Sequence, residues 1–340
     1  MRIGYFADGS WSHRALEKLV DDVRFQIAFI VPRFDTQDPI LKKWAERLGV
    51  DYLPISNVNS SNSINQLRDY NADLFVSMSF NQILKAEILL TAPLGFINCH
   101  AGELPFYRGR NILNWALIND AKEFGVTVHY VDEGIDTGDI IMQVVEPITD
   151  RDDYSTLLER AIELCADLLF RAILEIADGT AKLIEQSTKH PVGFYCGRRV
   201  EGDEWIDWNW SSRRIFNFVR SITTPGPCAR TLYNNQLIAI QRASLIDDAL
   251  SYIGSPGEIV GKEGDQLVVK TGDATIRLEA YRLTSPPPEA SVLSFRIGQR
   301  FGVNVGVALI ELMRRVSELE QRLTETGYCN GSGRPCKSGH

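Results

Sequence analysis

The sequence predicts an α/β protein with a Rossmann-like core, followed by a smaller all-β unit and a terminal helix. Three observations predict it. In the first half, short apolar runs alternate with amphipathic helix patterns, as in a parallel sheet built from crossovers. A long apolar-periodic helix and then a polar, glycine-dotted stretch close that half. Beyond them the pattern changes to short strands in series, separated by hairpin turn residues.

Taken in order, residues 2–6, 26–31, 52–55, 74–78 and 95–98 read as strands, and 12–22, 39–48 and 63–70 as amphipathic helices. Sheets of this kind bind ligands outside the carboxyl ends of their strands. Ala7-Asp8-Gly9, Met78-Ser79-Phe80-Asn81-Gln82 and the loop 98–110 all arrive there, so three loops are expected to converge on one crevice. Two more strands follow at 126–130 and 140–145. Residues 155–176 read as one helix, because Leu157, Leu158, Ile162, Leu164, Leu168, Leu169 and Ile173 repeat at helical spacing.

These patterns divide the chain into a first domain at 1–185, a linker at 186–203 containing Gly193, Gly197 and Gly202, and a second domain at 204–302. The second domain opens with a short helix, 212–222, and the punctuation Pro225-Gly226-Pro227. Turn residues at Asn234-Asn235, Gly264-Asp265 and Gly272-Asp273 then space out the strands of a small β-barrel. In the helix expected at 303–327, Val305, Leu309, Leu312, Val316, Leu319 and Leu323 alternate in steps of four and three. That is the seam of a short coiled coil, with Glu311, Arg314, Arg315, Glu318 and Arg322 between its members. The seam either pairs with a second copy, giving a homodimer, or packs back on the β unit. Residues 328–340 form a Gly/Ser tail.

The densest chemistry lies between 98 and 139. Residues two apart on a strand share a face, so Asn98 and His100 project together while Cys99 points away. Asp136 follows in the turn Gly134-Ile135-Asp136-Thr137-Gly138. Each has an ordinary reading when taken alone: a strand-ending amide, a satisfied interior histidine and a turn aspartate. Together they supply a hydrogen-bond donor, a base and an acid, the minimum for moving an acyl group from one nitrogen to another. Asp139 reads as a strand start, and His13, His129, His190 and His340 as solvated or structural.

The same window resembles the formyltetrahydrofolate-dependent formyltransferases. The resemblance is carried by Asn98-x-His100, Ala101-Gly102, Leu104-Pro105, Tyr107-Arg108-Gly109 and Asp136-Thr137-Gly138. It runs from Met1 to about Gly302, and the later segment is similar to the second domain of methionyl-tRNA formyltransferases, which implies an OB-like fold there. It implies N10-formyltetrahydrofolate as co-substrate. In that reading Asn98 stabilises the oxygen on which negative charge builds. His100 acts as general base with a share in oxyanion stabilisation, and Asp136 orients the histidine or sets its protonation.

The resemblance also implies backbone contacts to the folate ring from Met78, Ser79, Phe80, Asn81, Gln82 and Ile83, supplemented by 131–134 including Asp132. Arg108 and Arg110 are the candidate substrate-binding residues, although Arg108 reads equally well as a scaffold salt bridge. Arg110, followed by Leu113-Asn114-Trp115, is similar to the domain that formylates UDP-4-amino-arabinose in the lipid A modification enzyme. Guanidinium forks suit phosphate oxygens. Asn111-Ile112 replaces the small residue and proline usual in the family.

Other classes are disfavoured. A nicotinamide site would need GxGxxG after the first strand, and Asp8-Gly9-Ser10 does not fit. At 340 residues, with 44% hydrophobic and 24% charged content, the chain matches a two-domain soluble protein. It has no apolar run long enough for a membrane span, and Met1-Arg2-Ile3-Gly4 leads straight into a strand, so a cytoplasmic protein is expected. Six cysteines without dense spacing read as thiols. Cys329, Cys336 and His340 supply three ligands and no CxxC pair, so no metal site is expected.

A net charge of −8 offers little cationic surplus for nucleic acid. The leading expectation is formyl transfer to the amine of a nucleotide-linked amino sugar, as in O-antigen or other surface-glycan synthesis. The alternative is methionyl-tRNA formylation. The tRNA enzymes carry a basic insertion after the second strand, whereas Pro32-Arg33-Phe34-Asp35-Thr36-Gln37-Asp38 is short and mixed in charge. Hydrolysis of the formyl donor, with water in place of the amine, is a third reading that the same residues would serve.

Overall fold

The computed structural model describes residues 1–234, 236–284, 294–303 and 305–325. Strand β1 (Arg2–Ala7) is buried from Ile3 onward, as a strand covered on both faces must be. Helix α1 (Gly9–Val20), β2 (Gln26–Pro32), α2 (Pro39–Leu48) and β3 (Asp51–Tyr52) follow. Asp38 starts α2 by accepting hydrogen bonds from the Ile40 and Leu41 amides, and left-handed Gly49 ends it. The strand expected at 52–55 is cut short because Pro54 has no N–H to continue the ladder. Helix α3 (Ser61–Asp69), β4 (Leu74–Met78), α4 (Ala86–Leu89) and β5 (Phe96–His100) complete a parallel set in the order β3-β2-β1-β4-β5.

After β5 come the two-residue β6 (Arg108–Gly109), α5 (Ile112–Ile118), β7 (Glu123–Tyr130) and β8 (Ile140–Pro147). Strands β7 and β8 extend the sheet antiparallel, making seven strands. Side-chain alternation sends Ile3, Tyr5, Val76 and Ile97 to one face, where α1 and α6 (Tyr154–Ala177) cover them with Leu16, Leu157, Leu169 and Ile173. Phe6, Phe29, Phe75 and Phe96 go to the other face, under Ile64, Leu67 and Ile88.

Residues 186–203, expected as a linker, are docked structure. Helix α7 (Gln186–Lys189) carries a buried glutamine, and β9 (Tyr195–Cys196) pairs in parallel with β6. Helix α8 (Ser212–Ser221) then packs on α5. Across that junction Asn114 Nδ2 donates to Ser221 O at 2.6 Å, and Arg220 Nη1 donates to Thr149 O at 2.6 Å. Arg213 bridges Asp120 and Asp150.

The second sheet contains β10 (Ala229–Tyr233), β11 (Gln236–Leu245), β12 (Ile259–Glu263), β13 (Gln266–Lys270) and β14 (Thr275–Leu283). It is antiparallel in the order β10-β11-β14-β13-β12, around a core that includes Ile215, Val219, Ile240, Val269 and Leu278. The expected turns at Gly264-Asp265 and Gly272-Asp273 join β12 to β13 and β13 to β14. Asn234 is left-handed, and its neighbour Asn235 lies outside the described residues.

Helix α9 (Val305–Glu325) does not pack back on this sheet: every residue from Val305 to Thr324 is exposed. Residues 326 and 327 of the expected helix and the tail with Cys329, Cys336 and His340 lie outside the described residues. Among the described residues no helix is long and apolar enough to cross a membrane, and Cys99, Cys165, Cys196 and Cys228 are free thiols.

Candidate active site

The site is built on the antiparallel seam between β5 and β7. Asn98 stands opposite His129 and His100 opposite Thr127, so cross-strand pairing puts all four side chains on one face. Asp136, in the turn after β7 at φ 55°, reaches back under them. Its Oδ2 lies 3.6 Å from His100 Nδ1 and accepts the Gly109 amide at 2.8 Å, while its Oδ1 lies 3.5 Å from His129 Nε2. The carboxyl therefore forks between two imidazoles. Burial by itself would push the Asp136 pKa up. The two histidines and the Gly109 N–H outweigh it and hold the group well below the usual carboxylate range.

Hydrogen-bond partners place one hydrogen on each ring. His100 Nε2 is 2.7 Å from Tyr107 O and His129 Nδ1 is 2.7 Å from Tyr130 O; a carbonyl only accepts, so each of these nitrogens carries a hydrogen. The atoms turned toward Asp136 are then His100 Nδ1 and His129 Nε2. The latter has a donor of its own, the Asn98 amide at 3.3 Å. Gly102 makes the first contact possible, since a Cβ there would sit 2.5 Å from His100 Nε2 and 2.6 Å from Tyr107 O. Thr127 braces the loop by donating to Gly102 O at 2.6 Å, and Gln143 donates to Thr127 Oγ1 at 2.8 Å.

A cavity of about 1050 Å³ opens over these groups. Met78, Ser79, Phe80, Asn81, Gln82, Ile83 and Asp132 line one part of it, as expected. The Asn81, Gln82 and Asp132 side chains are committed to holding these loops. Gln82 donates to Ile55 O, Asn81 to Asp35, and Arg33 Nε donates to Ser79 O at 2.6 Å. The Asp132 carboxylate accepts from Gly134 N and Thr137 Oγ1. Arg110, Tyr195, Cys196 and Arg198 line another part, and among the described residues neither arginine's side chain has a hydrogen bond or ion pair. Burial pushes the Cys196 thiol up to about 11, which removes it as a nucleophile near neutral pH.

Two readings from the sequence are corrected here. Arg108 is not at the cavity: its Nε and Nη2 donate to Gln186 Oε1 at 3.1 and 2.7 Å, and it lies over the Tyr195 ring. The pairing of β6 with β9 turns it away, which leaves Arg110 as the cationic member of that pair. His129 is not a bystander; only 1% exposed, it sets its Nε2 3.3 Å from Asn98 Nδ2 and 3.5 Å from Asp136 Oδ1.

Gln186 was also missed. Its amide donates to Asp136 O at 2.9 Å and Gly138 O at 2.8 Å, so one buried side chain ties the Asp136 turn to Arg108. The sequence held one usable signal for His129, the alternation Thr127-Val128-His129, but its partner strand was not readable. Asp139 uses its backbone, accepting from Tyr130 N beside β8.

A family model described as formyl transferase matches residues 3–173, and one described as formyl transferase, C-terminal domain, matches 200–289. Among curated proteins, a methionyl-tRNA formyltransferase of Acetivibrio thermocellus is 31% identical, covering 84% of this chain and 93% of its own. One from Fusobacterium nucleatum is 36% identical over 66% of this chain and 72% of its own. Among solved structures, the sugar 3N-formyl transferase WlaRD with dTDP and 5-N-formyl-THF superposes with TM-score 0.61 at 21% identity, over 82% of this chain and 97% of that one. An N-formyltransferase from Helicobacter canadensis, in complex with folinic acid and dTDP-3-aminofucose, gives TM-score 0.61 at 18% identity, over 82% and 99%.

Proposed function

The chain belongs to the formyl transferase family, and from that premise we propose that it moves the formyl group of N10-formyltetrahydrofolate onto the amine of a nucleotide-linked amino sugar. The folate supplies an activated formyl carbon on N10. The side of the cavity lined by 78–83 is the place assigned to the folate ring, and a volume of about 1050 Å³ has room for donor and acceptor together.

In this reading the Asn98 carboxamide donates to the formyl oxygen as charge develops there. The amine nitrogen attacks the formyl carbon, the bond from that carbon to N10 breaks, and the amine's proton must leave. With the Tyr107 carbonyl holding hydrogen on His100 Nε2, the open lone pair is on Nδ1. A proton taken there forms an imidazolium facing the Asp136 carboxylate, whose lowered pKa keeps it charged. The proton can then pass to the departing N10.

One observation carries the choice of acceptor: Arg110 and Arg198 line the cavity with their charges uncompensated. A diphosphate suits two guanidinium forks. The exposed Tyr195 ring beside them offers a nucleobase a face. Surface-glycan synthesis is the setting such a product fits.

The names of the curated relatives favour a second reading, methionyl-tRNA as acceptor. Against it stand the charge of −8 and the loop after β2, which is short and mixed in charge. Arg33 is bound to Ser79 and Asp8, and Thr36 to Asp8, so no basic arm projects. The deciding experiment is tetrahydrofolate release with dTDP-, UDP- and GDP-linked amino sugars and with methionyl-tRNA. Turnover with a sugar nucleotide supports the first reading; efficient turnover with methionyl-tRNA alone replaces it by the second.

A further inference from the structure

Helix α9 spans about 30 Å at about 1.5 Å per residue, and its residues from Val305 to Thr324 are all exposed. Leu309, Leu312 and Leu319 are 54%, 60% and 56% exposed, and Val305 and Val316 complete a continuous stripe with them. A stripe of this kind is costly in water, so something must cover it. In heptad terms, Leu309 and Val316 occupy a positions, and Val305, Leu312 and Leu319 occupy d positions. Arg314 and Glu318 fall on the opposite face, where they pair with each other at 2.7 Å, as on a solvent-facing side.

The flanks of the stripe identify what covers it. Arg315 is at g and Glu320 is the next e. Five residues apart, they sit on opposite sides of the seam of one helix and cannot reach each other. In a parallel, in-register pair of such helices, each g residue meets the e residue five positions later on its partner, so Arg315 of each chain faces Glu320 of the other twice over. An antiparallel pair would set Arg315 among the g residues of the other helix, where the complementarity is lost. In the central heptads Val316 at a lies between Leu312 and Leu319 at d, an arrangement compatible with two strands.

We propose that α9 is a dimerisation element, forming a parallel two-stranded coiled coil with a second copy of this chain about a two-fold axis along the helices. The seam is short, so association is concentration dependent. It lies apart from the cavity and is independent of which acceptor the enzyme uses.

Sedimentation equilibrium of the full chain tests it against a monomer mass of 38.2 kDa. The expected result is a wild type approaching twice that mass as concentration rises, and Leu312→Glu with Leu319→Glu held at the monomer mass. Formyl transfer per chain should be unchanged in that variant, which shows that it folds. Arg315→Glu and Glu320→Arg should each weaken the dimer, and the two combined should restore it. A wild type that stays monomeric overturns the proposal, as does a dimer indifferent to the leucine changes. Tighter association in Arg315→Glu alone would overturn the parallel arrangement.

Discussion

In the proposed mechanism His100 shows how little separates a structural residue from a working one. A single carbonyl, that of Tyr107, decides which of its nitrogens is basic, and Gly102 is the residue that lets the carbonyl approach. Gly102→Ala should therefore cost turnover by displacing the ring, with folate binding measured by fluorescence nearly intact. His100→Asn, Asp136→Asn and Asn98→Ala should each lower kcat by on the order of a hundredfold or more, since each removes a step of proton transfer or charge stabilisation and not of docking. Near-native turnover in any one of them would strip that residue of its role.

The three were legible in the sequence because strand alternation and a glycine-bracketed turn are local patterns. His129 was not legible as a participant. Its position depends on register with β5 and on the irregularity between Val128 and His129 in the pairing with β8, neither of which spacing along the chain encodes. Gln186 was hidden for another reason: a buried amide whose partners are backbone carbonyls looks, in sequence, like any polar linker residue. Gln186→Leu should leave those carbonyls and Arg108 without partners. A fall in kcat with little change in folate KM is the expected signature, and loss confined to thermal stability would reduce Gln186 to scaffold.

At the level of elements, the parallel strands and the helices with clear caps were readable. Both α2 and β4 fall where hydrophobic periodicity puts them, because burial on two faces and the Asp38 and Gly49 caps leave few alternatives. The second domain was readable only as strands and turns; the order β10-β11-β14-β13-β12 comes from long-range pairing that no local pattern carries.

Asp38 makes a test of the capping logic. Burial would raise its pKa, but the amides of Gly9, Ile40 and Leu41 and the His13 ring lower it overall. A carboxyl lowered on folding stabilises fully above its unfolded value, near about 3.9, and that contribution fades as pH falls through the lower folded value. Asp38→Ala should cost at least about 1 to 2 kcal/mol near neutral pH in urea titrations. The gap to wild type should narrow below about pH 4; a gap that widens on acidification would contradict the assignment.

The whole molecule is a seven-stranded sheet and a five-stranded sheet joined through α5 and α8, with ionic contacts from Arg213 and Arg220 across the junction. Its net charge and its uncompensated cavity arginines point in opposite directions, and in the proposed function the local feature is the one that touches the substrate. Arg110→Ala and Arg198→Ala should each raise KM for a sugar nucleotide about tenfold, leaving folate KM near wild type. Folate KM rising in parallel would place both arginines on the donor side instead.

The docked segment 186–203 divides the labour of the cavity. Asn98, His100 and Asp136 belong to the large sheet and its turns, while Tyr195, Cys196 and Arg198 come from a strap that crosses the opening on its way to the second domain. In the proposed function reactivity and selectivity reside in separate stretches of chain, joined by Gln186, by the β6–β9 ladder and by the bonds from Trp115 Nε1 to Gly197 O and from Arg199 N to Asn111 Oδ1. A strap of this kind is free to diversify under selection while the chemistry beneath it stays fixed. Exchanging residues 190–203 with those of a relative is then the shortest route to a new acceptor on an old catalyst.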